Sequence, residues 1–225
     1  MRADFVFVHG FTQTAASWAP VMELLSADTR SLAVPVAGDF TATAAALDVG
    51  PATYAGYSQG GRLCLQLALD RPGVVDRLVL VSASPGIAAE PARTARREAD
   101  ERLAREIERD GVDAFLERWL AQPLFATLPR ERSGIDERRA RNTIEGLTYQ
   151  LRVLGQGAQP STWARLGELR MPVLLIVGER DAKYVEIAER MAVAIPRARL
   201  EVVPGAGHAC HLEQPETVAH LLSSW

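Results

Sequence analysis

Short runs of consecutive apolar residues recur along the chain, and helical patterns fill the intervals between them. Phe5–Val8, Tyr54–Tyr57, Leu78–Val81 and Val173–Val177 read as strands, with a less uniform one at Leu200–Val203 and a weaker one at Leu32–Val34. Apolar runs without polar alternation describe strands covered on both faces, which is the signature of a parallel sheet. Helical stretches follow at Trp18–Leu25, Arg62–Asp70, Val185–Ile195 and Glu216–Ser223. Strands alternating with helices predict an α/β architecture: a mostly parallel sheet with helices on both faces.

Between about Pro85 and Arg170 the strand pattern stops. Glu90–Asp110, Val112–Ala121 and Ile135–Leu154 read as three helices, with Leu103 and Ile107, and Phe115, Leu116 and Trp119, at helical spacing. Segment 86–169 holds 14 of the 24 arginines and 14 acidic residues, so its local charge is zero. The predicted organisation is a core from 1–85 and 170–225, interrupted by a helical cap insertion at 86–169.

Composition narrows the function classes. The 225 residues are 48% hydrophobic and 24% charged, enough apolar mass for one sizeable core and far from disordered, collagen-like or coiled-coil balances. A net charge of −3 gives no global basic field for nucleic acid or anionic lipid. Two cysteines, Cys64 and Cys210, make neither a disulfide framework nor a metal-binding pattern. The opening MRADFVFVHG lacks the parts of a secretory signal, and no apolar run is long enough to span a bilayer. The expectation is a cytoplasmic protein without nucleic-acid or membrane partners.

Gly56-Tyr57-Ser58-Gln59-Gly60 fits G-x-S-x-G and stands between a strand and a helix. That context suits a nucleophile elbow, a sharp turn that exposes the serine hydroxyl. Serine needs a base, and the base needs an orienting carboxylate. Of the four histidines, His208 lies in a Gly-rich loop just past the last strand, with His211 a nearby competitor and His220 inside the final helix. Asp181 follows the strand ending at Val177, with Glu179 as the rival carboxylate. Chain order Ser58, Asp181, His208 is the order used on this type of scaffold. The loop after His9 and the residue after the serine then supply oxyanion donors, the backbone N–H groups of Phe11 and Gln59. His9 itself reads as a loop-holding residue. Arg62, four residues after Ser58, falls on the same helix face and would set a guanidinium beside the nucleophile, where it suits an anionic substrate.

These motifs resemble the α/β-hydrolase superfamily over almost the whole chain. More narrowly, GYSQGGRL, SASPGI, PLFATL, LRVLGQGAQPSTW, VGERDAKY and GAGHACHLEQPE resemble the 2-succinyl-6-hydroxy-2,4-cyclohexadiene-1-carboxylate synthases of menaquinone biosynthesis. The resemblance implies an α/β-hydrolase fold and a lyase that removes pyruvate by 2,5-elimination without metal or organic cofactor. It implies Ser58, Asp181 and His208 as the catalytic triad and Arg62 as a substrate-binding residue. It also implies substrate contacts from Arg96 (with Arg93 and Arg97 close in register), from Arg139 (with Arg138 and Arg141 as rivals), and from Tyr57 and Trp119. The partner expected is a small substrate with several carboxylates. One segment departs from the family pattern: Pro35-Val36-Ala37-Gly38-Asp39-Phe40 stands where the family usually carries a D-x-P-G-H-G-like sequence at the pocket rim.

A triad alone does not separate elimination from hydrolysis. A carboxylesterase or C–C bond hydrolase is the principal alternative, and a non-catalytic binding protein on the same fold is a third reading.

Overall fold

The computed structural model describes residues 5–225; the first four residues of the predicted 1–85 unit lie outside the described residues. In chain order the elements are β1 Phe5–Val8, α1 Ala19–Met22, β2 Thr29–Leu32, α2 Phe40–Ala45, β3 Ala52–Tyr57, α3 Gln59–Asp70 and β4 Val75–Val81. Then come α4 Glu90–Leu120, α5 Ile135–Arg141 and α6 Ile144–Leu154. The chain ends with β5 Val173–Gly178, α7 Ala182–Ala194, β6 Ala198–Val203, α8 Cys210–Glu213 and α9 Pro215–Ser224.

The six strands form one sheet in the order β2-β1-β3-β4-β5-β6, and every neighbouring pair is parallel. The interior strands β3 and β5 are buried at every position, which is why their sequences carry no alternation. Each fully buried valine, leucine or isoleucine in them contributes about 1.5–3 kcal/mol of transfer free energy. Two apolar layers flank the sheet. One gathers around Tyr54, Leu63, Leu65 and Met191, the other around Phe7, Trp18, Val79 and Leu174.

The connections leave the sheet in opposite directions from β1 and β3, so a crevice opens beyond the carboxyl ends of those two strands. Val8 is in register with Gly56, which brings the loop after β1 alongside the turn after β3. At the other side of the site, Gly178 is in register with Val203, and the loops that follow carry Asp181 and His208.

Between β4 and β5 the chain forms α4, α5 and α6, whose inward residues Ile107, Phe115, Leu116, Leu147 and Leu151 make a separate apolar cluster. The break predicted between Asp110 and Val112 is present inside α4, where Gly111 adopts φ +80°. A third helix over 135–154 is not formed as one piece. Asn142 is extended and donates from Nδ2 to the carbonyls of Thr12 and Arg138, and the Thr143 side chain caps α6 by accepting from Gly146 N–H at 3.0 Å.

The second strand also differs from expectation. It runs Thr29–Leu32 and ends before Val34, because the Val34 N–H is taken by His9 Nε2 at 3.1 Å instead of by the strand ladder. Helix α2 was not evident from its short Thr/Ala sequence; its start is fixed by Asp39, which accepts from Ala42 N–H at 2.8 Å. Among the described residues no helix is long and apolar enough to cross a membrane.

Candidate active site

Ser58 sits between β3 and α3 with φ +48° and ψ −107°, a backbone conformation that side-chain-bearing residues seldom adopt. Its neighbours explain how the turn is tolerated. A Cβ on Gly56 would approach Gly61 Cα to 2.5 Å, and one on Gly60 would run into the Val8 carbonyl. The main chain is pinned by Ser58 N–H donating to Val81 O at 2.8 Å and Arg62 N–H donating to Ser58 O at 3.0 Å. The serine hydroxyl is thereby held out over the sheet edge.

His208 Nε2 lies 3.2 Å from Ser58 Oγ, and His208 Nδ1 lies 2.6 Å from Asp181 Oδ2. Both His208 and Asp181 are buried. The three side chains thus form one hydrogen-bonded line from the tips of β3, β5 and β6. The competitors have other partners. Glu179 accepts from Gly205 N–H at 2.8 Å. His211 is wedged between Trp18 and Tyr57 at ring-centroid distances of 4.6 and 4.2 Å, and burial holds its pKa well below the ordinary value. His220 is exposed on α9. His9 approaches the Gly10 carbonyl through Nδ1 and accepts from Val34 through Nε2, while burial depresses its pKa to about 4. It is a neutral tether for the loop after β1.

That loop carries Phe11. Gln59 is the first residue of α3, so its N–H has no acceptor within the helix. Phe11 N–H likewise has no acceptor among the described residues. Both residues border the cavity that Ser58 also borders.

The cavity measures about 310 Å³ and joins Ser58 and His208 to the helices between β4 and β5. Tyr57, Tyr184 and Phe125 surround the His208 ring at 5.4, 4.6 and 6.1 Å. Trp119 meets Phe11 edge-on at 5.1 Å and closes the opposite wall. Arg62 borders the same space and is 5% exposed. Its Nη1 donates to Gln159 Oε1 at 3.0 Å and its Nη2 to the Leu154 carbonyl at 2.8 Å, with the Phe40 ring 5.7 Å beneath it. No carboxylate among the described residues is within ion-pair distance of it. Burial lowers its pKa to about 10, so it remains a cation at neutral pH.

Of the arginines expected on α4, Arg96 borders the cavity, donating to Asp100 Oδ1 at 2.8 Å and to Gln156 Oε1 at 3.2 Å. Arg97 donates to Glu90 and Thr94, and Arg93 pairs with Glu90. Arg139 does not reach the cavity. It pairs with Glu117 and, at 3.3 Å, with Asp136, both of them exposed side chains. The reason is its phase on α5, which turns Arg138 inward instead. Arg138 is buried, donates to Ser133 O at 2.8 Å and also bonds Thr12 Oγ1, so it supports the loop carrying Phe11 without bordering the cavity. Arg141 pairs with Glu137 at 3.4 Å.

Sequence reasoning passed over Lys183, the single lysine, which borders the cavity at the second residue of α7. A cation there opposes the helix dipole, and no ion pair offsets it among the described residues. Segment 35–40 does not border the cavity; Ala37 and Gly38 are bound to Tyr149 of α6 instead. No group of three or more His, Cys, Asp and Glu side chains among the described residues is placed to hold a metal ion.

Comparison with known proteins places this geometry. The sequence pattern of the Alpha/beta hydrolase family matches residues 5–221. A Bacillus subtilis (strain 168) protein, named provisionally as a 2-succinyl-6-hydroxy-2,4-cyclohexadiene-1-carboxylate synthase, is 35% identical over 98% of this chain and 89% of its own. A Salmonella schwarzengrund protein carrying that name without qualification is 31% identical, covering 98% of this chain and 92% of its own. The solved structure of MenH from S. aureus superposes with a TM-score of 0.91 at 28% identity, covering 100% of this chain and 94% of the other.

Proposed function

This chain belongs to the alpha/beta hydrolase family and, within it, to the 2-succinyl-6-hydroxy-2,4-cyclohexadiene-1-carboxylate synthases, and on that footing we propose that it eliminates pyruvate from 2-succinyl-5-enolpyruvyl-6-hydroxy-3-cyclohexene-1-carboxylate. The observation that carries this reading is Arg62: a buried guanidinium beside the nucleophile, with two of its five N–H donors engaged by neutral acceptors and no carboxylate partner among the described residues. Burying such a charge costs several kcal/mol unless a ligand supplies the counter-charge. The substrate has three carboxylates, on ring carbon 1, at the end of the succinyl chain and on the enolpyruvyl group. Among the described residues Arg62, Arg96 and Lys183 are the cations bordering the cavity, which Asp100, the partner of Arg96, also borders.

In the reaction, His208 Nε2 takes the Ser58 hydroxyl proton, and Asp181 stabilises the resulting imidazolium. The serine oxygen removes the hydrogen of ring carbon 2, which the adjacent succinyl ketone acidifies. The Phe11 and Gln59 amides receive the charge developing on that ketone oxygen. The electron pair moves through the ring double bond, giving double bonds at carbons 2 and 4, and the bond from carbon 5 to the enolpyruvyl oxygen breaks. The departing enolate is protonated to pyruvate, so atoms and charge balance without an external oxidant or reductant. Ser58 thus serves as a base.

Segment 86–169 acts in this reading as a cap over a core of 1–85 and 170–225. Its own apolar cluster lets it hold together as a unit, and it supplies Arg96, Trp119 and Phe125 to the substrate.

A carboxylesterase would use the same triad, but a neutral ester offers Arg62 no counter-charge; a C–C bond hydrolase acting on a dienone acid would offer one and is separated instead by pyruvate release. Arg62→Gln separates the lyase from the carboxylesterase. Losing a charge-assisted contact of about 1.5–3 kcal/mol lowers kcat/KM on the three-carboxylate substrate by about ten- to a hundredfold. Hydrolysis of a small neutral aryl ester should change by less than about threefold. Equal losses on both substrates, in a variant that melts normally, would remove the anion-binding role and favour the hydrolase.

A further inference from the structure

We propose that Glu213 is a positioning residue for the catalytic histidine, clamping the main chain on both sides of His208. Glu213 ends α8 and is buried. Its Oε2 accepts from Gly207 N–H at 2.8 Å, and its Oε1 accepts from Ala209 N–H at 3.2 Å. Those amides belong to the residues immediately before and after His208. The clamp is itself anchored. Glu213 N–H donates to Ala209 O at 3.0 Å, and Arg132 of the insertion donates to the Glu213 main-chain carbonyl at 2.6 Å. Gly207 is pressed so closely against Thr127 that a Cβ would overlap the threonine hydroxyl.

The chemistry of the side chain explains why a glutamate is here. Two N–H donors converge on one buried group, and a carboxylate presents an accepting oxygen to each. Glutamine, of nearly the same shape, has one accepting oxygen and would turn its own N–H₂ toward the second donor. A buried carboxylate is costly unless so bonded. Its position therefore reflects a demand for rigidity on both flanks of His208. The imidazole must meet Asp181 at 2.6 Å and Ser58 at 3.2 Å simultaneously, and misplacement of a reacting group by about 1 Å costs about a hundredfold in rate. With both adjoining peptides held, the ring has only its side-chain torsions left to set. The clamp serves the triad whichever substrate the enzyme turns over, so it stands apart from the elimination reading.

Glu213→Gln tests it, assayed by pyruvate release and by aryl ester cleavage, using whichever reaction the unmodified enzyme performs. The expected result is a fall of about thirtyfold in kcat with KM within threefold. The far-downfield proton resonance of the His208–Asp181 hydrogen bond should broaden or vanish. Glu213→Asp, which keeps two accepting oxygens, should recover part of kcat and part of that signal. A folded Glu213→Gln enzyme with undiminished kcat and an intact resonance would overturn the proposal. So would a kcat loss with the resonance unchanged. Should the variants not fold, amide exchange in the unmodified enzyme decides. Slow exchange at both Gly207 and Ala209 is expected, and exchange at the rate of an open loop would refute the clamp.

Discussion

The guanidinium of Arg62 donates to Gln159 Oε1 at 3.0 Å, tying the helix behind the nucleophile to a residue 97 positions further along the chain. That contact fixes the arginine between α3 and the segment after α6, where it borders the cavity beside Ser58. A second bond ties it to the end of α6, where the Leu154 carbonyl accepts from the other guanidinium nitrogen at 2.8 Å.

The remaining cations divide by position. Arg96→Gln and Lys183→Met should each raise KM for a three-carboxylate substrate by about tenfold, since each removes a positive charge bordering the cavity. Lys183→Arg should keep most of the affinity. Arg139→Gln should change neither KM nor kcat by more than about twofold, because its partners Glu117 and Asp136 lie outside the cavity. Steady-state kinetics on the four variants checks this. A large effect from Arg139 together with none from Lys183 would invert the charge map.

Gly60→Ala probes the turn beneath the nucleophile. The added methyl would overlap the Val8 carbonyl, a main-chain atom of a central strand that cannot move aside cheaply. The expected outcome is a loss of several kcal/mol, seen in thermal unfolding as a fall of well over 5 °C or as failure to accumulate folded protein. A variant melting with the parent would contradict the packing described for this turn.

Most of this site was legible in the sequence because its chemistry is local. Ser58, Asp181 and His208 each stand within a few residues of an apolar run, and strand ends are where such runs stop. What escaped was set by contacts distant along the chain. The inward choice of Arg138 over Arg139 depends on where α5 is phased, and α5 ends at Asn142 because that side chain binds the Thr12 carbonyl, 130 residues away. Strand β2 lost its expected end to His9, through a bond between a side chain and the backbone that no propensity encodes. Lys183 stood two residues ahead of the helix expected at Val185–Ile195, and only the fold reveals that α7 already includes it and that it borders the cavity. Glu213 was similarly indistinct, since its two donors come from a loop with no regular pattern.

Acid stability follows from two of the buried histidines, His9 and His211. Burial holds the pKa of His9 near 4 and depresses that of His211, whereas both titrate near 6.5 in an unfolded chain. Between pH 6.5 and 4 the unfolded state therefore binds protons that the folded state refuses. Stability is fully present above about pH 6.5 and is lost as pH falls toward 4, with His9 alone accounting for on the order of 3 kcal/mol. Urea unfolding at pH 7 and pH 5 should register the decline, and His9→Gln should make the dependence shallower. An unchanged slope in that variant would mean that His9 is not held neutral.

The measurement that bears most directly on the account is pyruvate release from 2-succinyl-5-enolpyruvyl-6-hydroxy-3-cyclohexene-1-carboxylate, with Ser58→Ala run alongside because this precursor can lose pyruvate spontaneously. The account predicts release far above background that Ser58→Ala abolishes. Release at the background rate from the unmodified enzyme, or release that survives Ser58→Ala, would contradict it.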